Sequence, residues 1–184
     1  MFFKRMQLSI YCLLIGLSGV GQSTTEQLSA VMHTFHHYNM FDGAVMVADH
    51  GTVVYKEAFG LANREWDIPN STDTKFMIGS ISKPLTATLI LILTEKNLIN
   101  LDSSLSYYVP QFKDKPASKV TIKQLLNHTS GLPNYDIIRD FFPRISRQSF
   151  TREEYLEIFQ DSALAFEPGT RYMYSSWGYY TLGY

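Results

Sequence analysis

Ser80 and Lys83 stand three residues apart in the stretch Phe76-Met-Ile-Gly-Ser80-Ile-Ser-Lys83-Pro84, and this pair is where the sequence first offers chemistry. Positions i and i+3 of a helix share a face, so a hydroxyl and an amine at this spacing can point into one cleft. A serine hydroxyl is a poor nucleophile until a neighbour takes its proton, and a desolvated lysine can do that. The first turn of a helix adds free N–H groups and the positive end of the helix dipole, both favouring developing negative charge. Together these parts make a Ser-Lys acyl-transfer site. Ser80 is the only serine with a lysine three residues on. The competing reading is structural: Ser80 and Lys83 merely cap a helix.

The elements that must hold this pair follow from periodicity. Pro84 to Lys96 is apolar around nearly its whole circumference and reads as a buried core helix. Leu89 to Leu93 also fits a buried strand, but Ala87, Thr94-Glu95-Lys96 and the segment's length favour helix. Upstream, Leu28, Val31, Met32 and Phe35 have helical spacing, capped by Thr24 or Thr25. Phe41 to Gly60 reads as a hairpin reversing at Asp49-His50-Gly51, part of an antiparallel sheet on which the core helix packs. Gly60 to Asn63 continues as strand or turn, and Leu61 to Thr74 is mostly loop, punctuated by Pro69-Asn70-Ser71-Thr72.

Downstream, Asp102 or Ser103 caps a short helix closed by Tyr107-Tyr108-Val109-Pro110. Thr121 caps another, which runs into a tight turn, His128-Thr129-Ser130-Gly131-Leu132-Pro133. Ser130 and His128 could form a second nucleophile–base pair, but bracing of the turn by side chain-to-backbone bonds is favoured. Thr151-Arg-Glu-Glu154 is a capping box opening a helix to about Phe159. The helices after Leu98 form an all-helical lobe. Pro168-Gly169 sets a turn, and Tyr174-Ser-Ser lies on a loop before a last helical run.

Composition sets bounds on function. At 184 residues, 45% hydrophobic and 18% charged with a formal net charge of −1, the chain suits one domain and gives no electrostatic case for nucleic acid. Lys4-Arg5, the apolar run Met6 to Val20 and small residues Gly19, Gly21 and Ser23 have the layout of a secretory signal peptide over 1–23, cleaved after Gly21 or Ser23. The run is too short and broken for a membrane span, so a secreted or periplasmic location is expected. Cys12, the only cysteine, lies inside it, which leaves no disulfide or thiol chemistry. Without Lys4 and Arg5 the mature chain would carry 14 basic and 17 acidic residues, a net charge of −3. His33, His36 and His37 lack a neighbouring carboxylate at ligand-like spacing and read as a solvated or partly packed face, with no metal site.

Three segments together carry a resemblance. Phe76-x-Ile-Gly-Ser80-x-Ser-Lys83-Pro84, Leu125-Leu126-x-His128-Thr129-Ser130-Gly131-Leu132-Pro133 and Pro168-Gly169-Thr170-x-x-x-Tyr174-Ser175 are similar to the motifs of the serine β-lactamase-related family. That family includes class C β-lactamases, D,D-peptidases and related esterases. The resemblance implies an α+β fold, an antiparallel sheet flanked by helices plus an all-helical lobe, with the site between them. It implies Ser80 as the acylated nucleophile, Lys83 as its proton acceptor and Tyr174 as general base or proton relay. It calls for no cofactor, and for a small-molecule or peptide substrate: a β-lactam, a D-alanyl peptide or an ester.

Two departures qualify it. Ser176 stands where the family's Tyr-x-Asn motif has asparagine, so a shorter hydroxyl replaces an amide at a substrate-binding position and shifts the expectation toward esters. The sequence also ends before a Lys/His-x-Gly strand that would supply one oxyanion donor and the sheet's last strands. Loss of one such donor costs on the order of 10²–10³ in rate. Residues 24–184 are therefore expected to be the N-terminal portion of a longer hydrolase, inactive or weakly active alone. The alternative is a relative that binds penicillin or peptidoglycan without turnover.

Overall fold

Ser23 and Glu26 exchange side chain-to-backbone hydrogen bonds and so close a capping box at the start of α1 (Thr24–His37). The cap is Ser23, neither Thr24 nor Thr25, because only Ser23 has a glutamate at the third helical position. A computed structural model describes residues 23–184. The signal-like segment and Cys12 lie outside the described residues apart from Ser23 itself.

Contacts divide the chain into two compact units, Met1–Phe76 and Met77–Tyr184. In the first, β1 (Gly43–Asp49) and β2 (Thr52–Phe59) pair antiparallel from Gly43↔Phe59 to Asp49↔Thr52, with a register shift between Val47 and Ala48. His50 and Gly51 both have positive φ, 46° and 79°, as a two-residue hairpin loop matched to strand twist requires. Alternation buries Tyr55 and Phe59, and Thr25 Oγ1 donates to the Val54 carbonyl, placing α1 beside β2. The expected sheet is small. β3 (Leu61–Asn63) pairs only with β4 (Ile68–Pro69) in a separate two-stranded sheet.

The histidine face of α1 is partly packed, as its sequence suggested. His33 and His36 lie against the Phe59 ring, and His33 Nε2 is 3.2 Å from Glu57 while His36 Nδ1 is 3.2 Å from Asp42. These carboxylates come from the hairpin and its approach, so sequence spacing along the helix could not reveal them.

The second unit is helical: α2 (Ser82–Glu95), α3 (Leu105–Tyr108), α4 (Ile122–Leu126), α5 (Arg152–Glu157) and α6 (Ser176–Gly183), joined by loops that carry short 3₁₀ and π turns. It begins at Met77 rather than after Leu98, so the Ser80 segment belongs to it. Thr121 caps α4 and Thr151 with Glu154 forms a capping box at α5, as the sequence predicts; Gln124 completes a second box at α4. Ser104, not Asp102 or Ser103, holds the N-cap position of α3, without a side-chain cap bond; the N–H of Leu105, the next residue, donates to the Val120 carbonyl.

The core of this unit joins Leu105, Phe112, Val120, Leu125, Leu132, Leu156, Phe159 and Trp177. Phe159 and Trp177 stack, with centroids 4.8 Å apart and planes at 9°. α2 is a helix, which decides against the strand reading, yet it is not the buried helix that its composition predicts. Only Ile90 is buried, whereas Leu85, Leu89, Leu91 and Ile92 are exposed. Apolarity all round announces a preference for burial; it does not supply the surfaces that would provide it.

Candidate active site

Ser80 lies in a 3₁₀ turn, Gly79–Ile81, that runs directly into α2. Gly79 has φ 52°, a left-handed conformation that costs glycine little, and this bend sets the entry of the turn. Ser82 Oγ donates to the Gly79 carbonyl at 2.8 Å and tightens it from below. The leading N–H groups of such a turn have no partner within it. Ser80 is exposed and Lys83 half-buried one turn further on. Lys83 Nζ donates to Ser80 Oγ at 3.1 Å, the same-face pairing that their spacing predicts.

Tyr174 arrives from 94 residues away, its hydroxyl 2.6 Å from Ser80 Oγ. The Lys83 ammonium also sits over the Tyr174 ring, 4.9 Å from its centroid. The Lys83 amine, then the Ser80 hydroxyl, stabilise the phenolate and hold Tyr174 below the usual tyrosine pKa, against desolvation that acts the other way. Ser176, first residue of α6, places Oγ 3.5 Å from Lys83 Nζ, the longest contact of the group. The structure thus brings together all four residues named from sequence: Ser80, Lys83, Tyr174 and Ser176.

The segment carrying Tyr174 has no regular structure of its own and is fastened to the His128–Pro133 turn. Met173 N–H donates to the His128 carbonyl at 2.9 Å, and Gly169 N–H to the Thr129 carbonyl and Ala165 N–H to the Gly131 carbonyl, each at 2.8 Å. Ser175 caps α6 by accepting from Gly178 N–H, while its own hydroxyl donates to the Pro133 carbonyl. Ser176 N–H donates to Asn134 Oδ1. Two motifs distant in sequence therefore form one braced unit behind the tyrosine.

His128 and Ser130 do not form a nucleophile–base pair. Ser130 is buried and its Oγ accepts from Leu132 N–H, bracing the turn. His128 instead faces the tyrosine segment: Nδ1 accepts from Ser175 N–H at 3.1 Å, and its ring lies 4.7 Å from that of Tyr174. Burial, and then the charge of Lys83, push His128 below the usual imidazole pKa. Sequence reading placed His128 in a turn and missed that it flanks Tyr174, because nothing local to either segment records their pairing. Tyr179 was missed too; it closes the far side, its hydroxyl donating to the Leu126 carbonyl and its ring 5.7 Å from Lys83 Nζ. Among the described residues, no cluster of three or more potential metal ligands occurs.

An arrangement of serine, lysine and tyrosine within hydrogen-bond reach can remove a proton from the hydroxyl and return it to a leaving group. Comparison with known proteins finds relatives among penicillin-binding proteins and esterases. Penicillin-binding protein 4* of Bacillus subtilis (strain 168) is 33% identical over 164 residues, covering 88% of this chain and 35% of its own length. Esterase EstB of Burkholderia gladioli is 33% identical over 167 residues, covering 83% of this chain and 42% of its own length. A penicillin-binding protein from Bacillus halodurans has a similar structure, with a TM-score of 0.68 at 32% identity over 83% of this chain and 48% of that one. The chain spans less than half the length of each of these relatives. Residues 24–184 match the family model Beta-lactamase, and the chain belongs to the β-lactamase family.

Proposed function

We propose that this chain forms the nucleophile-bearing part of an exported serine hydrolase that passes through an acyl-enzyme at Ser80. The observation that carries this reading is the short Ser80 Oγ–Tyr174 Oη contact of 2.6 Å, with Lys83 Nζ 3.1 Å from the same oxygen. Tyr174, held toward its phenolate, accepts the Ser80 proton as Oγ attacks a carbonyl carbon. Lys83 stabilises the negative charge of the phenolate before the transfer and of Oγ as its proton leaves. The C–N or C–O bond of the substrate then breaks, the proton passes from Tyr174 to the departing amine or alcohol, and an ester to Ser80 remains. Water attacks that ester by the same proton route in reverse and frees the acid.

The substrate class is an acyl compound: a β-lactam, a D-alanyl peptide or an ester. Similarity to a penicillin-binding protein and to an esterase supports this range. Within it, Ser176 favours esters. Its hydroxyl sits at the limit of hydrogen-bond distance from Lys83 and cannot present the amide N–H and carbonyl that an asparagine would. An ester asks less of such contacts, because an alcohol departs more readily than an amine. Export rests on the basic start, apolar run and small residues within 1–23.

Treatment with a fluorophosphonate tests the nucleophile directly. Ser80 Oγ would form an O–P bond as the P–F bond breaks and fluoride leaves. Intact-mass analysis should show one adduct per chain, mapping to the Ser80 peptide and absent in Ser80→Ala. Absence of label on the full-length wild-type protein, or equal labelling of Ser80→Ala, would sink the proposal. With a penicillin, a stable adduct without turnover would point to the penicillin-binding alternative.

A further inference from the structure

We propose that His128 is a positioning residue for Tyr174, holding the phenol on Ser80 through its acceptor nitrogen and its ring; this rests on the reading of Ser80 as nucleophile. Tyr174 lies on a loop and is 39% exposed, so its side chain needs an outside constraint to stay on Ser80. His128 supplies one on three sides. Its carbonyl accepts from Met173 N–H at 2.9 Å and its Nδ1 from Ser175 N–H at 3.1 Å, so both residues flanking Tyr174 are pinned to it. Between those bonds its ring lies tilted at 33° against the Tyr174 ring, 4.7 Å between centroids. Tyr179 at 5.0 Å and Tyr172 at 5.8 Å enclose the imidazole on its other faces.

His128 itself sits at φ 60°, in the left-handed region where histidine, asparagine and aspartate are over-represented among non-glycine residues. That backbone conformation turns the carbonyl and the side chain toward the same neighbouring segment, as both hydrogen bonds require.

Acceptance at Nδ1 places the proton of a neutral imidazole on Nε2. Protonation would set a second N–H against Ser175 N–H and break the bond. It would also add a positive charge facing Lys83, the charged group whose field acts on the ring; Tyr172, Tyr174 and Tyr179 are its other titratable neighbours. The pin therefore holds only while the imidazole is neutral, and acylation should fall as pH drops below the usual imidazole value of about 6.5.

The test is the second-order rate of fluorophosphonate labelling at Ser80 against pH, for the full chain and for His128→Phe and His128→Asn. Phenylalanine keeps a ring but loses the acceptor, and is expected to slow labelling about 10²-fold, the cost of a misplacement near 1 Å. Asparagine keeps an acceptor and tolerates the backbone conformation. It should recover part of the rate and, having no titratable group, lose the extra fall below the imidazole value, leaving the slope that Tyr174 sets. Labelling by both variants at the wild-type rate, or an acid fall in His128→Asn as steep as in wild type, would overturn the assignment while leaving Ser80 as nucleophile. Absence of any wild-type label would instead remove the nucleophile reading and this one with it. Should His128→Phe not fold by circular dichroism, His128→Asn decides through its pH profile alone.

Discussion

At the scale of single residues, the site turns on one proton and which oxygen holds it. Tyr174 is held below the ordinary phenol value by Lys83 and then by Ser80, so its phenolate is populated at lower pH than that of a free tyrosine. If that phenolate is the base, the acylation rate rises with pH through a midpoint below about 10, the unperturbed phenol value. Tyr174→Phe keeps the ring beside His128 but removes the oxygen. It should lower the labelling rate by about 10²–10⁴, the usual contribution of a positioned base, and abolish the alkaline rise. A variant that keeps the alkaline rise would transfer the role to Lys83. The same ionisation is linked to stability with a fixed sign: a lowered folded pKa contributes stability that is present above the unfolded value and is lost as pH falls through the folded one. Ser80 and Lys83 were legible in the sequence because three residues along a helix make a fixed geometry. Tyr174 became legible only through the family resemblance, and His128 not at all as its neighbour, since no periodicity links positions 46 residues apart.

At the scale of elements, regular structure contributes less to the site than one irregular ladder. The turn from His128 to Pro133 offers its carbonyls in succession to the segment 165–175, and Gly131 lies at its centre. Gly131 has φ 75°, and a Cβ there would lie 2.4 Å from the Phe166 carbonyl oxygen. Phe166 adjoins Ala165, whose N–H donates to the Gly131 carbonyl, so moving the Phe166 carbonyl aside strains that bond. Gly131→Ala should therefore destabilise the protein by about 2 kcal/mol or more, on the scale of one strained residue plus one lost hydrogen bond, measured by urea denaturation. It should also slow Ser80 labelling, because the ladder that loosens is the one carrying Tyr174. Equal stability of Gly131→Ala and wild type would show that the turn relaxes freely. Sequence reading found this turn, the Thr121 cap and the Thr151–Glu154 capping box, since their signals are local. It misplaced the caps of α1 and α3 by one or two residues: at α1 it passed over the Ser23–Glu26 capping box, and at α3 Ser104 makes no side-chain cap bond for a local rule to register.

For the whole molecule, the question is what keeps the four site residues in register. α6 begins at Ser176 and immediately buries Trp177, 1% exposed, against Phe159 at the end of α5. The tyrosine loop is thus anchored by the core residue three positions beyond Tyr174, whereas α2, carrying Ser80 and Lys83, presents most of its leucines to solvent and contributes only Ile90 to the core. Composition predicts a different weighting, with the apolar α2 as the buried foundation. The stack decides it, because a buried indole removes more apolar surface from water than any single leucine. Trp177→Ala should cost about 3–5 kcal/mol, against a total stability of about 5–15 kcal/mol for a natural domain. Trp177→Phe, which keeps an aromatic partner for Phe159, should cost clearly less. Thermal unfolding followed by near-UV circular dichroism would rank the two, with Ser80 labelling measured alongside. If Trp177→Ala unfolds early yet labels at the wild-type rate below its transition, the core stabilises the fold without positioning Tyr174. If labelling falls while the protein is still folded, the indole is what transmits the order of the core to the phenol.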